Sequence, residues 1–129
     1  MPQKEIEVIL ARQLASYLAM PIFIVDPEGT LLYYNESAER VLGKLFEQTE
    51  TMTLPNWAAA FTPVDENDQH IPEESLPIVI ALTQRRPAHS DFWICGHDRV
   101  RRHIEVTAFP LTGQAERNLG AVAIFWEVL

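Results

Sequence analysis

A single cysteine, Cys95, stands in a chain of 129 residues. That excludes an internal disulfide and the stapled folds of small secreted proteins. No apolar run approaches the about 18 residues that a membrane-spanning helix needs, and no secretory leader opens the sequence. The expected setting is therefore a reducing, cytoplasmic one, with no membrane partner. Basic residues are scarce as well: 10 Lys and Arg face 18 Asp and Glu, for a net charge of −8. Nucleic acid and anionic lipid demand the opposite sign, so direct nucleic-acid binding is not expected. The nucleophile elbow, P-loop, HExxH and dinucleotide fingerprints are all missing, and with them the commonest catalytic signatures. A calcium loop starting at Asp65 would need Gly at position 70 and Glu at position 76. The chain has His70 and Leu76, so 65–69 reads as a solvated acidic turn.

What is present is an ordinary globular balance, 47% hydrophobic and 22% charged, in a length that suits one domain with its own core. Residues 4–18 carry Ile6, Ile9, Leu10, Leu14, Tyr17 and Leu18 at helical spacing, with Val8, Ala11 and Ala15 beside that stripe. Pro21 ends the helix and Ile22–Val25 reads as a strand. Asp26-Pro27-Glu28-Gly29 is a turn, and 30–34 is the returning strand. Asn35 is a good N-cap for a short helix that Gly43 closes. Residues 47–56 are polar and aperiodic and read as a loop, while Trp57 and Phe61, four apart, suggest one helical turn stopped by Pro63. Pro72 with Glu73 and Glu74 opens a turn, and Pro77 starts a helix through Gln84. The period then changes to two. Residues 88–95, 100–109 and 119–128 read as strands, with a turn at 96–99 and a polar loop at 110–118.

Strands grouped at both ends of the chain around central helices imply an α+β fold, an antiparallel sheet with helices on one face. Three segments carry a family resemblance: MPIFIVDPEGTLLYYNESAERVLG, IPEESLPIVIAL, and RRHIEVTAFPL followed by LGAVAIFWEV. In this order and spacing they resemble a PAS (sensory box) domain over roughly residues 19–128. Arg99 stands where the family often has a turn glycine, and Trp126-Glu127-Val128 where it often has Asp-Ile-Thr. The resemblance implies a five-stranded antiparallel sheet cupping a small cavity under short helices. It divides the chain into an N-terminal amphipathic helix at 1–18, for capping or dimerisation, and a PAS domain at 19–129.

Strand alternation assigns the faces. Ile104, Val106 and Ala108 form the inward register of the fourth strand, joined by Ser90, Phe92 and Ile94 of the third and by Ala123 and Phe125 of the fifth. With Val79 and Ile80 of the helix after Pro77 they either fill the core or line a ligand pocket. Arg102, on the inward register, could hold a carboxylate ligand at the mouth or belong to a solvated hairpin tip. Val122, Ile124 and Trp126 make the outer side of the last strand apolar too, widened by Trp93 and Phe109, so residues 4–18 of this chain or a second copy should cover it. Haem is not expected, because the helix after Pro77 has no histidine to serve as axial ligand. Flavin is not expected either, because Cys95 lacks the Asn-Cys-Arg-Phe setting of light-sensing relatives.

The function these observations point to is non-enzymatic. It is a cytoplasmic sensor that binds a small molecule or mediates protein association in signal transduction or transcription regulation, as a homodimer acting on an output protein. The alternatives are a ligand-free dimerisation scaffold and, more remotely, a cone-shaped isomerase using Asp26, Asp91, His89 and His103 as acid and base.

Overall fold

The computed structural model describes residues 6–17, 20–49, 51–95 and 99–128. Helix α1 (Ile6–Tyr17) precedes strand β1 (Ile22–Val25). Asp26 then reverses the chain, its Oδ1 accepting from the Glu28 and Thr30 N–H groups, both at 2.9 Å. Gly29, at φ 86°, completes the turn in a conformation that costs only glycine nothing. Strand β2 (Leu31–Tyr34) returns, and Asn35 caps helix α2 (Glu36–Leu42), which ends on Gly43 at φ 74°. Helices α3 (Leu54–Phe61) and α4 (Pro77–Gln84) each carry a proline in the first turn, where the missing N–H would have had no partner. Strands β3 (Ala88–Cys95), β4 (Arg101–Thr112) and β5 (Asn118–Glu127) complete the chain.

The strands form one antiparallel sheet in the order β2-β1-β5-β4-β3. Its inner face and helices α2, α3 and α4 enclose the main core. On the outer face Ile22, Ile24 and Val122 form a smaller cluster, packed by Phe109, Leu111, Ile124 and Ala11 of α1. Helix α1 therefore covers the outer apolar side within its own chain. One residue outside the named strands extends the sheet at the far edge: Val64 exchanges both backbone hydrogen bonds with Trp93, each 2.8 Å.

Three details differ from the sequence reading, and a fourth shows which side of α1 meets the sheet. Helix α3 begins at Leu54, inside the stretch expected to be a loop, because Pro55 suits a first turn and Trp57, Ala58 and Phe61 give it a buried side. Strand β4 continues through Pro110 to Thr112 instead of ending at Phe109. Strand β3 stops pairing with it at Ala108, so a proline N–H is not required there. Helix α1 turns Val8 and Ala11 to the sheet and leaves the larger stripe outward: Ile6 is 66% exposed, Leu10 56%, Leu14 60% and Tyr17 86%. The small side chains let the helix approach closely. Trp93 does not widen the apolar patch, for Arg101 lies over its ring at 4.6 Å and His103 stacks on it at 4.7 Å. Residues 4, 5 and 18, the side chain of Ala15, and the turn residues 96–98 lie outside the described set.

Candidate functional site

Alternating inward residues of four strands, the end of α2, the buried side of α3 and the start of α4 converge on one cavity of about 80 Å³. Its floor is Phe23 of β1, Phe92 and Ile94 of β3, Ile104 and Val106 of β4, and Ala123 and Phe125 of β5. Its roof is Leu42 of α2, Trp57 and Phe61 of α3, Pro77 and Ile78 of α4, and the connecting Pro63 and Leu76. Every one of these residues is buried, and no polar surface faces the space. The one side-chain N–H on the wall is spoken for, since Trp57 Nε1 donates to the Gly29 carbonyl at 2.8 Å. Phe23 lies at the centre, its ring edge-on to Trp57 at 5.2 Å and to Phe61 at 6.4 Å.

Of the residues expected to bind a ligand, Phe92, Ile104, Val106, Ala123 and Phe125 stand on this wall. Five do not. Val79 and Ala108 are buried in the same core but away from the cavity surface. Ile80 and Ser90 are only half-buried. The Ser90 hydroxyl donates to the Asp91 carbonyl at 3.4 Å. Arg102 follows its inward register but is claimed by the scaffold. Its Nη1 donates to the Val41 carbonyl at the end of α2 at 3.0 Å, and its Nε lies 3.9 Å from Glu127, with the side chain 15% exposed. The last turn of a helix leaves carbonyls without partners, and a guanidinium satisfies them well. The sequence reading missed Phe23, Leu42, Pro63, Leu76, Pro77 and Ile78 on the wall. It treated Trp57 and Phe61 as one helical turn, although their four-residue spacing was the signal for a shared inward face.

Outside the cavity, the outer side of β3 and β4 carries a ladder of polar groups. His103 Nε2 lies 2.8 Å from Asp91 Oδ2, and His89 Nδ1 lies 2.8 Å from the Thr107 hydroxyl. Three of the four acid and base residues of the isomerase alternative, His89, Asp91 and His103, thus lie on the sheet's outer face, away from the cavity. Asp26 is occupied in the β1–β2 turn. No histidine or cysteine among the described residues lines the cavity, and Cys95 is half-buried on strand β3. His97 lies outside the described residues.

Two buried polar side chains hold the frame around the site. Asn35 Oδ1 accepts from Ala38 N–H and Ile22 N–H, both at 3.0 Å, and its Nδ2 donates to the Met20 carbonyl at 2.8 Å. Tyr34, beside Phe23 and Phe46, donates its hydroxyl to the Lys44 carbonyl at 2.8 Å. Burial, and then the nearby charge of Glu39, push the Tyr34 hydroxyl up from 10.0 to about 12.

An antiparallel five-stranded sheet in this order, with an apolar cavity beneath short helices, is the architecture of a sensory module. The sequence matches the PAS fold family over residues 16–129, and the chain belongs to that family. Solved structures share the fold at low identity. The PAS domain of a protein from Colwellia psychrerythraea is 16% identical with a TM-score of 0.68, over 94% of this chain and 96% of that one. The Rhodobacter sphaeroides LOV protein is 14% identical with a TM-score of 0.73, over 97% of this chain and 69% of that one. The PAS domain of nitrogen regulation protein NR(II) from Vibrio parahaemolyticus is 15% identical with a TM-score of 0.64, over 92% and 98%. No curated protein matches the sequence. Among the described residues, no helix is long and apolar enough to cross a membrane.

Proposed function

We propose that this PAS domain is a non-enzymatic sensory module of a cytoplasmic signalling or transcription-regulating protein, holding a small molecule in its cavity and acting as a homodimer on an output protein. The observation that carries the reading is the wholly apolar cavity between the sheet and helices α2 to α4. Protein interiors pack to near crystal density, and a space of this size at the meeting point of seven elements is a departure that a filled scaffold has no use for. Haem and flavin are not part of the proposal. The cavity is small for either ring system, and it offers no polar group to hold one. The net charge of −8 argues against nucleic acid as a direct partner.

Dimerisation rests on α1. Its exposed Ile6, Ile9, Leu10, Leu14 and Tyr17 form a stripe of large apolar side chains, while Val8 and Ala11 hold the helix on the sheet. A second copy of the same helix, related by a two-fold axis, would cover both stripes at once. This stripe also favours a second reading, a ligand-free dimerisation scaffold, which needs α1 and not the cavity.

One sample separates the two. Native and denaturing mass spectrometry of the full chain, with an absorption spectrum, reads stoichiometry and any retained molecule together. A dimer that releases a small molecule on denaturation supports the sensor. A dimer of bare mass that takes up no added ligand supports the scaffold. A monomer at high micromolar concentration overturns the proposed homodimer.

A further inference from the structure

We infer that the cavity selects a small, uncharged, apolar molecule of cyclic or aromatic shape and rejects anions; the inference rests on reading this cavity as the ligand site. The wall is the first ground. It presents no polar surface, and its one side-chain N–H, on Trp57, already donates to the Gly29 carbonyl. A carboxylate placed there would lose its water and gain no hydrogen bond, a loss that buried charges do not sustain unpaired. The cation that could have met it, Arg102, is not on the wall and is committed to the Val41 carbonyl and to Glu127. Water is no better suited, because a buried water needs two to four polar partners. An apolar guest therefore displaces no water that the wall holds well.

Size and shape narrow the class. The cavity measures about 80 Å³, against roughly 150 Å³ for an engineered apolar cavity that takes benzene or xenon. A guest of a few heavy atoms fits directly, and a six-membered ring fits once the wall gives slightly. Phe23 stands edge-on to both Trp57 and Phe61, so the wall offers ring faces and ring edges together. Aromatic guests pair well with such a surface. Ala123 is the one alanine on the wall, paired across the sheet with Phe23 and Ala108. Its small side chain sets the room available.

The test uses the full wild-type chain with labelled isoleucine methyls, titrated with benzene, with benzoate as its charged counterpart, and with xenon under pressure. Benzene and xenon should shift the Ile78, Ile94 and Ile104 methyl signals saturably, with benzoate at least about tenfold weaker. Ala123→Leu should abolish the shifts. Should that variant misfold, the comparison of benzene with benzoate on wild-type protein still decides. Benzoate binding at the same methyls as tightly as benzene would overturn the ligand class and leave the cavity a binding site. Methyl signals unmoved by all three probes would overturn both.

Discussion

Replacing Asn35 with alanine should remove about 3–5 kcal/mol of folding stability, out of the 5–15 kcal/mol or so typical of a domain. Asn35 is 1% exposed and uses both ends of its amide. The oxygen accepts from Ala38 N–H, which caps α2, and from Ile22 N–H, which opens β1; the nitrogen donates to the Met20 carbonyl. Truncation strands three backbone groups, two of them buried and the Met20 carbonyl partly so. Losing an N-cap costs about 1 kcal/mol, and each buried backbone group left without a partner costs roughly 1–3 kcal/mol. Partial relaxation brings the sum to the range given. For a chain of this length that corresponds to a fall of about 11–18 °C in the melting midpoint. Asn35→Asp separates the contributions, because the carboxylate keeps both acceptor bonds and loses the donation to Met20. It should cost less than Asn35→Ala. Urea unfolding followed by tryptophan fluorescence and by circular dichroism reads both variants. A loss below about 1 kcal/mol for Asn35→Ala would mean that the three groups find other partners, and the reasoning would be refuted.

Gly120 sits at φ 118°, and a Cβ there would stand 1.9 Å from the Val25 carbonyl oxygen. Gly120→Ala should therefore cost more than about 3 kcal/mol; a near-normal urea midpoint would show that β1 and β5 can separate freely. The Tyr34 hydroxyl, raised from 10.0 to about 12, keeps its proton in the folded chain after the unfolded chain has released it. Stability is thus fully present below pH 10 and is lost as pH rises toward 12, by about 2–3 kcal/mol in all. Tyr34→Phe should flatten that part of the curve, and identical alkaline profiles for the two proteins would contradict the assignment.

Most of the architecture was legible because the period of the apolar residues changes cleanly along the chain. The alternation at 88–95 and 101–109 places Phe92, Ile104 and Val106 inward without any knowledge of their partners. Asn35 and Pro77 mark helix starts by chemistry that is local to each residue. The misses share a different character, since each depends on what a distant segment does. Arg102 has the inward register expected of it, yet a carbonyl at the end of α2 takes its guanidinium. Pro110 stays in its strand because β3 has already ended beside it. On α1 the apolar arc is too wide for its sequence to choose a side, and it is the sheet that accepts Val8 and Ala11. The cavity roof was hidden for the same reason. Leu42, Pro63 and Leu76 are brought together by loops whose paths no period encodes.

The Val64–Trp93 exchange has a consequence for how copies of this protein can meet. An open sheet is a template at both margins, and a further strand can add wherever backbone N–H and C=O groups stand free. Along β3 the C-terminal part of that margin is taken, with Val64 holding both groups of Trp93 and the Thr62 hydroxyl reaching the Cys95 carbonyl at 3.4 Å. At the opposite margin β2 is only four residues long, and its Leu31 N–H already donates to Met52. Growth by strand addition, the route to fibres and runaway stacking, is thus discouraged at both ends. Contact between copies is left to side chains, which can be chosen to close on a fixed number of partners.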